Sequence, residues 1–250
     1  MKGYILFISC FFHSLLQAQD TIQLPLSGTD VRVLIFGNDS SEVLLYNMHD
    51  NENTSALAGR IISQKYKGEY FELIHNGKRN ISFLMGEDSI HIDPNRIYTD
   101  TGVWLQLQKN KITDTVAYQL VAAWRDSVLS LLNIKDRSLV IALHNNTEEN
   151  YSFKSYLPDR EYEKEARSFY KGFTPDYDDF FFVTDHSILH ALIAGQYNVV
   201  LQANETMTDD GSLSVYCAKL GIPYVNVEAQ HGHIWRQMYM LIFALQQLSE

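Results

Sequence analysis

The feature that most constrains this chain is a set of short, predominantly apolar runs at 138–143, 180–183, 198–201 and 224–227. A strand that is apolar on both faces has none to offer to water, so it belongs in a sheet covered on both sides. Further strands are expected at 31–36, 42–48, 70–74, 81–84 and 89–92. Helical patterns fall between them at 54–66, 113–132 and 234–248. Strands alternating with amphipathic helices predict one α/β domain, built on a mixed, mostly parallel central sheet with helices on both faces. The 250 residues, 46% hydrophobic and 20% charged, suffice for one such core without disulfide staples. The polar stretch 145–179, rich in Glu, Tyr and Lys, is expected to leave the core as a long excursion with a short helix around 161–170.

The start of the chain reads as an export signal over residues 1–18, with the mature domain following at 19–250. Lys2 gives a positive start, an apolar run covers 4–12, and Leu16-Gln17-Ala18 places a small residue at a cleavage point. The alternative is a buried N-terminal strand or helix. The run is too short to cross a bilayer, and no later stretch does so. Cys10 falls inside the signal, which leaves Cys217 without a disulfide partner; its setting, Ser214 to Ala218, is a helix face, and a buried inert thiol is expected there. A net charge of −10 with no Lys/Arg cluster excludes nucleic acid as a partner.

Chemistry concentrates at the carboxyl ends of the expected strands, where sites form in open α/β sheets. His49-Asp50-Asn51-Glu52 follows the strand at 42–48, His144 follows the strand at 138–143, and Glu228 ends the strand at 224–227. Two histidines and a carboxylate form a zinc ligand set that leaves a coordination position open. Taken singly, His49 reads as a turn residue and His144 as a satisfied core histidine; their shared placement at strand ends favours the metal.

With Asp93-Pro94-Asn95-Arg96 between the two halves of that ligand set, the sequence resembles the zinc carboxypeptidase superfamily, including its succinylglutamate desuccinylase and aspartoacylase branch. The order is His49-x-x-Glu52, then Asn95-Arg96, then His144, then Glu228 late in the chain, and the resemblance covers roughly residues 30 to 245. It implies one zinc ion per chain, held by His49, Glu52 and His144. Glu228 would move a proton between water and the leaving nitrogen. Asn95 and Arg96 would hold a substrate carboxylate, to which a guanidinium pairs through two hydrogen bonds. The superfamily also uses a second arginine at the oxyanion; Arg79 is the candidate, with a solvated turn arginine as the alternative. Superfamily members usually carry a tyrosine shortly before the catalytic Glu, and here Tyr216 and Tyr224 are available without a pattern that selects one. The short chain favours the compact deacylase or bacterial-type branch.

The function implied is an exported hydrolase that cuts an amide bond next to a free carboxylate, in a short peptide or an N-acyl amino acid, with peptidoglycan-derived peptides among the candidates. The alternative is a non-catalytic carboxylate- or peptide-binding protein on the same scaffold. Sequons at Asn38, Asn53, Asn80, Asn145, Asn150 and Asn204 bear on the compartment, because glycans at Asn53 and Asn145 would obstruct the site. That favours a bacterial periplasm. His186 and His190 lack the Glu of an HExxH pattern and read as ordinary helix residues. Asp209-Asp210-Gly211-Ser212 reads as a turn and helix cap rather than a calcium loop. His231 and His233 either line the pocket or form a polar helix start.

Overall fold

The computed structural model describes residues 19–37, 42–66, 68–147 and 150–248; the expected export signal lies outside them. Eleven strands are present among the described residues: β1 (Asp20–Gln23), β2 (Arg32–Gly37), β3 (Val43–Asn47), β4 (Glu69–Ile74), β5 (Ile81–Met85), β6 (Asp88–Ile92), β7 (Leu139–Asn146), β8 (Ala166–Tyr170), β9 (Phe180–Val183), β10 (Asn198–Gln202) and β11 (Tyr224–Gln230). Six helices accompany them: α1 (Asn53–Ser63), α2 (Asp100–Lys109), α3 (Thr115–Leu132), α4 (His186–Ala194), α5 (Leu213–Leu220) and α6 (Ile234–Leu248). Nine strands form one mixed sheet in the order β1-β2-β4-β3-β7-β11-β9-β10-β8, and β5 and β6 make a separate hairpin. The neighbours β4, β3, β7 and β11 all run parallel, so their carboxyl ends meet at one edge of the domain.

Alternation along these strands builds a core on each face. From β7 and β11, Val140, Ala142 and Tyr224 enter one cluster with α2, α3 and α5. Leu139, Ile141, Leu143, Val225 and Val227 enter the other with α1, α4 and α6. Every residue of β3 is buried, as are all four of β9. Each large aliphatic side chain so buried contributes about 1.5–3 kcal/mol. Cys217 is buried in the first cluster as a free thiol.

Two expectations are corrected. β7 runs to Asn146 and β11 to Gln230, so His144 and Glu228 lie within their strands rather than beyond them. Around 161–170 the structure has a single 3-10 turn, Glu163–Glu165, followed by β8, which pairs antiparallel with β10 at the sheet edge. Edge pairing overrides the helical look of that Glu- and Lys-rich stretch, because β10 would otherwise present an open ladder.

Candidate active site

The site assembles because β3 and β7 are parallel neighbours and their ends point the same way. His49 leaves β3 two residues past its end, and Glu52 sits at the N-cap position of α1 without capping it. That duty passes to Asn145, whose Oδ1 accepts hydrogen bonds from the backbone N–H groups of Thr54 and Ser55 at 3.1 and 3.2 Å. The Glu52 carboxylate is thereby free to turn into the cleft. Its Oε1 lies 2.9 Å from His49 Nδ1, and its Oε2 lies 2.8 Å from His144 Nδ1. The two Nδ1 atoms are 3.1 Å apart. All three side chains are buried, and their ligand atoms lie within 4.8 Å of one another.

Whether this donor set fits a metal turns on the imidazoles. Both Nδ1 atoms and the Glu52 carboxylate converge on one point as lone-pair donors, so a cation there would satisfy all three groups at once. The other His49 nitrogen, Nε2, is 2.8 Å from Asp93 Oδ1, which fixes the tautomer that presents Nδ1 inward. The residues present therefore fit zinc. Burial works against charge on both rings. At His49 the neighbouring Glu52 and Asp93 outweigh it and raise the pKa; at His144 burial prevails, the pKa is lowered and the ring stays neutral. Burial also opposes charge on Glu52 and Asp93, but the histidines hold both carboxyls well below their usual range.

Asp93 is a residue of the candidate site that sequence reasoning passed over. Its Oδ1 also accepts the Asn95 N–H, capping the turn Pro94–Arg96, and its Oδ2 lies 3.3 Å from Arg79 Nη2. The signal was present as an Asp two residues before Asn95, in a segment read only for its Asn-Arg pair. Arg79 also donates from Nη1 to Glu52 Oε1 at 2.9 Å and is half-exposed, so it borders the cleft. Its loop is pinned by Asp50, whose Oδ2 accepts the N–H groups of His75, Asn76 and Gly77 at 2.6–2.7 Å.

Glu228 stands beside His144 in the β7–β11 register and is buried. Burial first, and then the charge of Glu52, push its pKa up to about 8. Asn226 Nδ2 donates to its Oε1 at 3.1 Å. Asn95 and Arg96 lie in the turn after Asp93. Asn95 Oδ1 accepts the Leu213 N–H, and Arg96 pairs with Asp210 at 3.3 Å. Burial disfavours the Arg96 charge, but Asp210 and Asp93 more than restore it. Gly211, at φ +80°, lets the Asp209–Ser212 turn lie against this segment, since a Cβ there would come within 2.3 Å of the Arg96 carbonyl oxygen. Ser212 caps α5 as expected, accepting the Val215 N–H.

The segment after β7 covers the site's flank. The Tyr151 and Tyr156 hydroxyls bond to each other, and burial raises both pKa values; Glu228 adds to the rise and Arg96 offsets it. By contrast, Tyr216 lies on α5 against Tyr98, and among the described residues neither its hydroxyl nor that of Tyr224 bonds to a site residue. The same segment walls a cavity of about 620 Å³, lined in part by Lys154, Arg160, Glu161, Asp176 and Gln230. Gln230 lies two residues beyond Glu228 on the same face of β11. His231 lies over the start of α1, with Nδ1 3.5 Å from Thr54 Oγ1. His233 stands at 3.9 Å from Asp176. His186 opens α4 and His190 lies within it, as expected.

The fold is carboxypeptidase-like. Bovine thrombin-activatable fibrinolysis inhibitor, in complex with a tick carboxypeptidase inhibitor, superposes with a TM-score of 0.53 at 13% identity, covering 98% of this chain and 94% of that one. The tripeptide-bound cell shape determinant Csd4 of Helicobacter pylori superposes with a TM-score of 0.51 at 12% identity over 88% of this chain. This chain spans only 55% of the Csd4 chain. A succinylglutamate desuccinylase/aspartoacylase from Rhodobacter sphaeroides matches with a TM-score of 0.46 at 11% identity, covering 92% of this chain and 64% of that one. No protein-family model matches the sequence, and no curated protein matches it.

Proposed function

We propose that this protein is a zinc-dependent hydrolase that cleaves an amide bond adjacent to a free carboxylate, in a short peptide or an N-acyl amino acid. The observation that carries the reading is the convergence of His49 Nδ1, the Glu52 carboxylate and His144 Nδ1, with His49 anchored from behind by Asp93. His49, Glu52 and His144 would hold the zinc. Bound there, zinc supplies Lewis acidity toward a carbonyl oxygen and lowers the pKa of a water toward about 7.

The remaining work falls to this chain's own side chains. Glu228 takes a proton from the attacking water at its carboxylate and returns it to the departing nitrogen. Arg79, half-exposed above Glu52, donates hydrogen bonds to the oxyanion as it forms. Arg96 and Asn95 receive the substrate carboxylate, for which Arg96 exchanges its Asp210 partner. The polar cavity beside Gln230 accommodates the rest of the substrate and sets its selectivity. The tripeptide bound by Csd4 supports a peptide substrate. Retention of Glu228 favours turnover over a binding protein on the same scaffold.

The test is hydrolysis of a panel of di- and tripeptides and N-acyl amino acids by zinc-loaded protein, each beside its C-terminal amide. Cleavage confined to the free acids is expected. Equal cleavage of the amides contradicts the role given to Arg96, and no cleavage of any member contradicts the hydrolase reading. Export follows from the apolar N-terminal run, and among the described residues no helix is long and apolar enough to cross a membrane. N-terminal sequencing of protein from a Gram-negative periplasm should begin near residue 19, and a retained Met1 contradicts it.

A further inference from the structure

Asn226 is a polar residue where the fold has no structural use for one. It lies inside β11, between Val225 and Val227, in a strand flanked by β7 and β9 and covered on both faces. Its Oδ1 is buried with no hydrogen-bond partner among the described residues. A buried carbonyl left unpaired lowers stability, and a small apolar residue would avoid that loss. What Asn226 does make is one contact: Nδ2 donates to Glu228 Oε1 at 3.1 Å. Residues two apart on a strand share a face, so the pairing follows from the strand period. Among the described residues, no other hydrogen bond reaches the Glu228 carboxyl, although that side chain is buried.

We propose that Asn226 is a positioning residue for Glu228: its amide holds Oε1 in place and leaves Oε2 as the oxygen that exchanges protons. The inference rests on Glu228 being the proton carrier. It assigns the unpaired Oδ1 to the cost of keeping a donor on the other end of the same amide. Bonds in which one partner is ionised are about twice as strong as neutral ones, so Asn226 matters most when Glu228 is charged.

Two measurements test it. In the zinc-loaded enzyme, Asn226→Ala should lower kcat roughly ten- to hundredfold with KM little changed, and should move the acidic limb of the kcat/KM profile to higher pH. Asn226→Ser, which keeps a donor, should restore part of the loss, and zinc at wild-type stoichiometry in both variants shows that they fold. In the metal-free protein, a cycle of Asn226→Ala and Glu228→Gln by urea denaturation at pH 9 reads the contact without turnover. Asn226→Ala should lower the folding constant about tenfold more in the wild-type background than in the Glu228→Gln background. An unchanged kcat and pH profile in Asn226→Ala, or equal effects in the two backgrounds, overturns the proposal. If the wild type binds zinc but cleaves nothing, the hydrolase reading fails on its own, and the cycle alone decides whether Asn226 holds Glu228.

Discussion

Replacing Glu228 with Gln should stabilise the metal-free protein, and the gain should grow with pH. Burial and the nearby Glu52 charge raise this carboxyl from 4.5 to about 8 in the folded state. A group whose folded pKa lies above its unfolded value favours the fold while protonated in both states. That contribution is complete below about pH 4.5 and is lost as pH rises through 8. At 1.36 kcal/mol per pH unit the full loss is about 5 kcal/mol, and between pH 5 and 8 it amounts to roughly 3–4 kcal/mol. The glutamine side chain keeps the shape and has no proton to lose. Other shifted groups, including Asp179, raised to about 6, are common to both proteins and cancel in the difference. Urea denaturation in a chelator at pH 5, 6.5 and 8 measures the gap between variant and wild type. A gap that widens by a few kcal/mol across this range is expected. A constant gap would refute the claim that Glu228 is a buried, proton-hungry carboxyl.

Four further expectations follow from named contacts. Asp93→Ala removes the hydrogen-bond partner of His49 Nε2 and should weaken zinc binding about ten- to hundredfold, read by chelator competition; unchanged affinity contradicts the anchoring role. Arg79→Ala should cut kcat by about 10²–10³ with zinc content intact, and a kcat near wild type would return Arg79 to the status of a turn residue paired with Glu52. Arg96→Lys should raise KM for free-acid substrates at least tenfold, since an ammonium cannot reproduce the two-point pairing of a guanidinium; a KM equal to wild type removes Arg96 from carboxylate recognition. Asn145→Ala deletes the cap of α1 and should cost about 1 kcal/mol of stability in thermal or urea unfolding, with no change expected if Asn145 serves only as a surface residue.

The parts of this account legible in the sequence are those with a strong local signal. Helix α6 and strands β9 and β11 carry unbroken or periodic apolar patterns, and their positions were expected to within a few residues. His49, Glu52, His144 and Glu228 were legible because each sits at or near a strand end, and parallel neighbours gather those ends. What was not legible depends on tertiary pairing. The edge strand β8 has no apolar run of its own and exists because β10 offers a ladder to it. The roles of Asn145 as a cap for α1, of Asp50 as an anchor for the Arg79 loop, and of Tyr151 and Tyr156 beside Glu228 join residues far apart in the chain. No sequence spacing encodes those contacts. Asp93 is an intermediate case: it stood in the motif, but its hydrogen bond to His49 spans 44 positions.

The central claim is that His49, Glu52 and His144 form one metal site, and metal content measured by mass spectrometry on purified protein tests it most directly, with wild type beside His49→Ala and Glu228→Gln. The account predicts near one zinc per chain in the wild type and in Glu228→Gln, and loss of that zinc in His49→Ala. A wild type that takes up no zinc, even after it is added back, or a His49→Ala variant that retains it, would contradict the account.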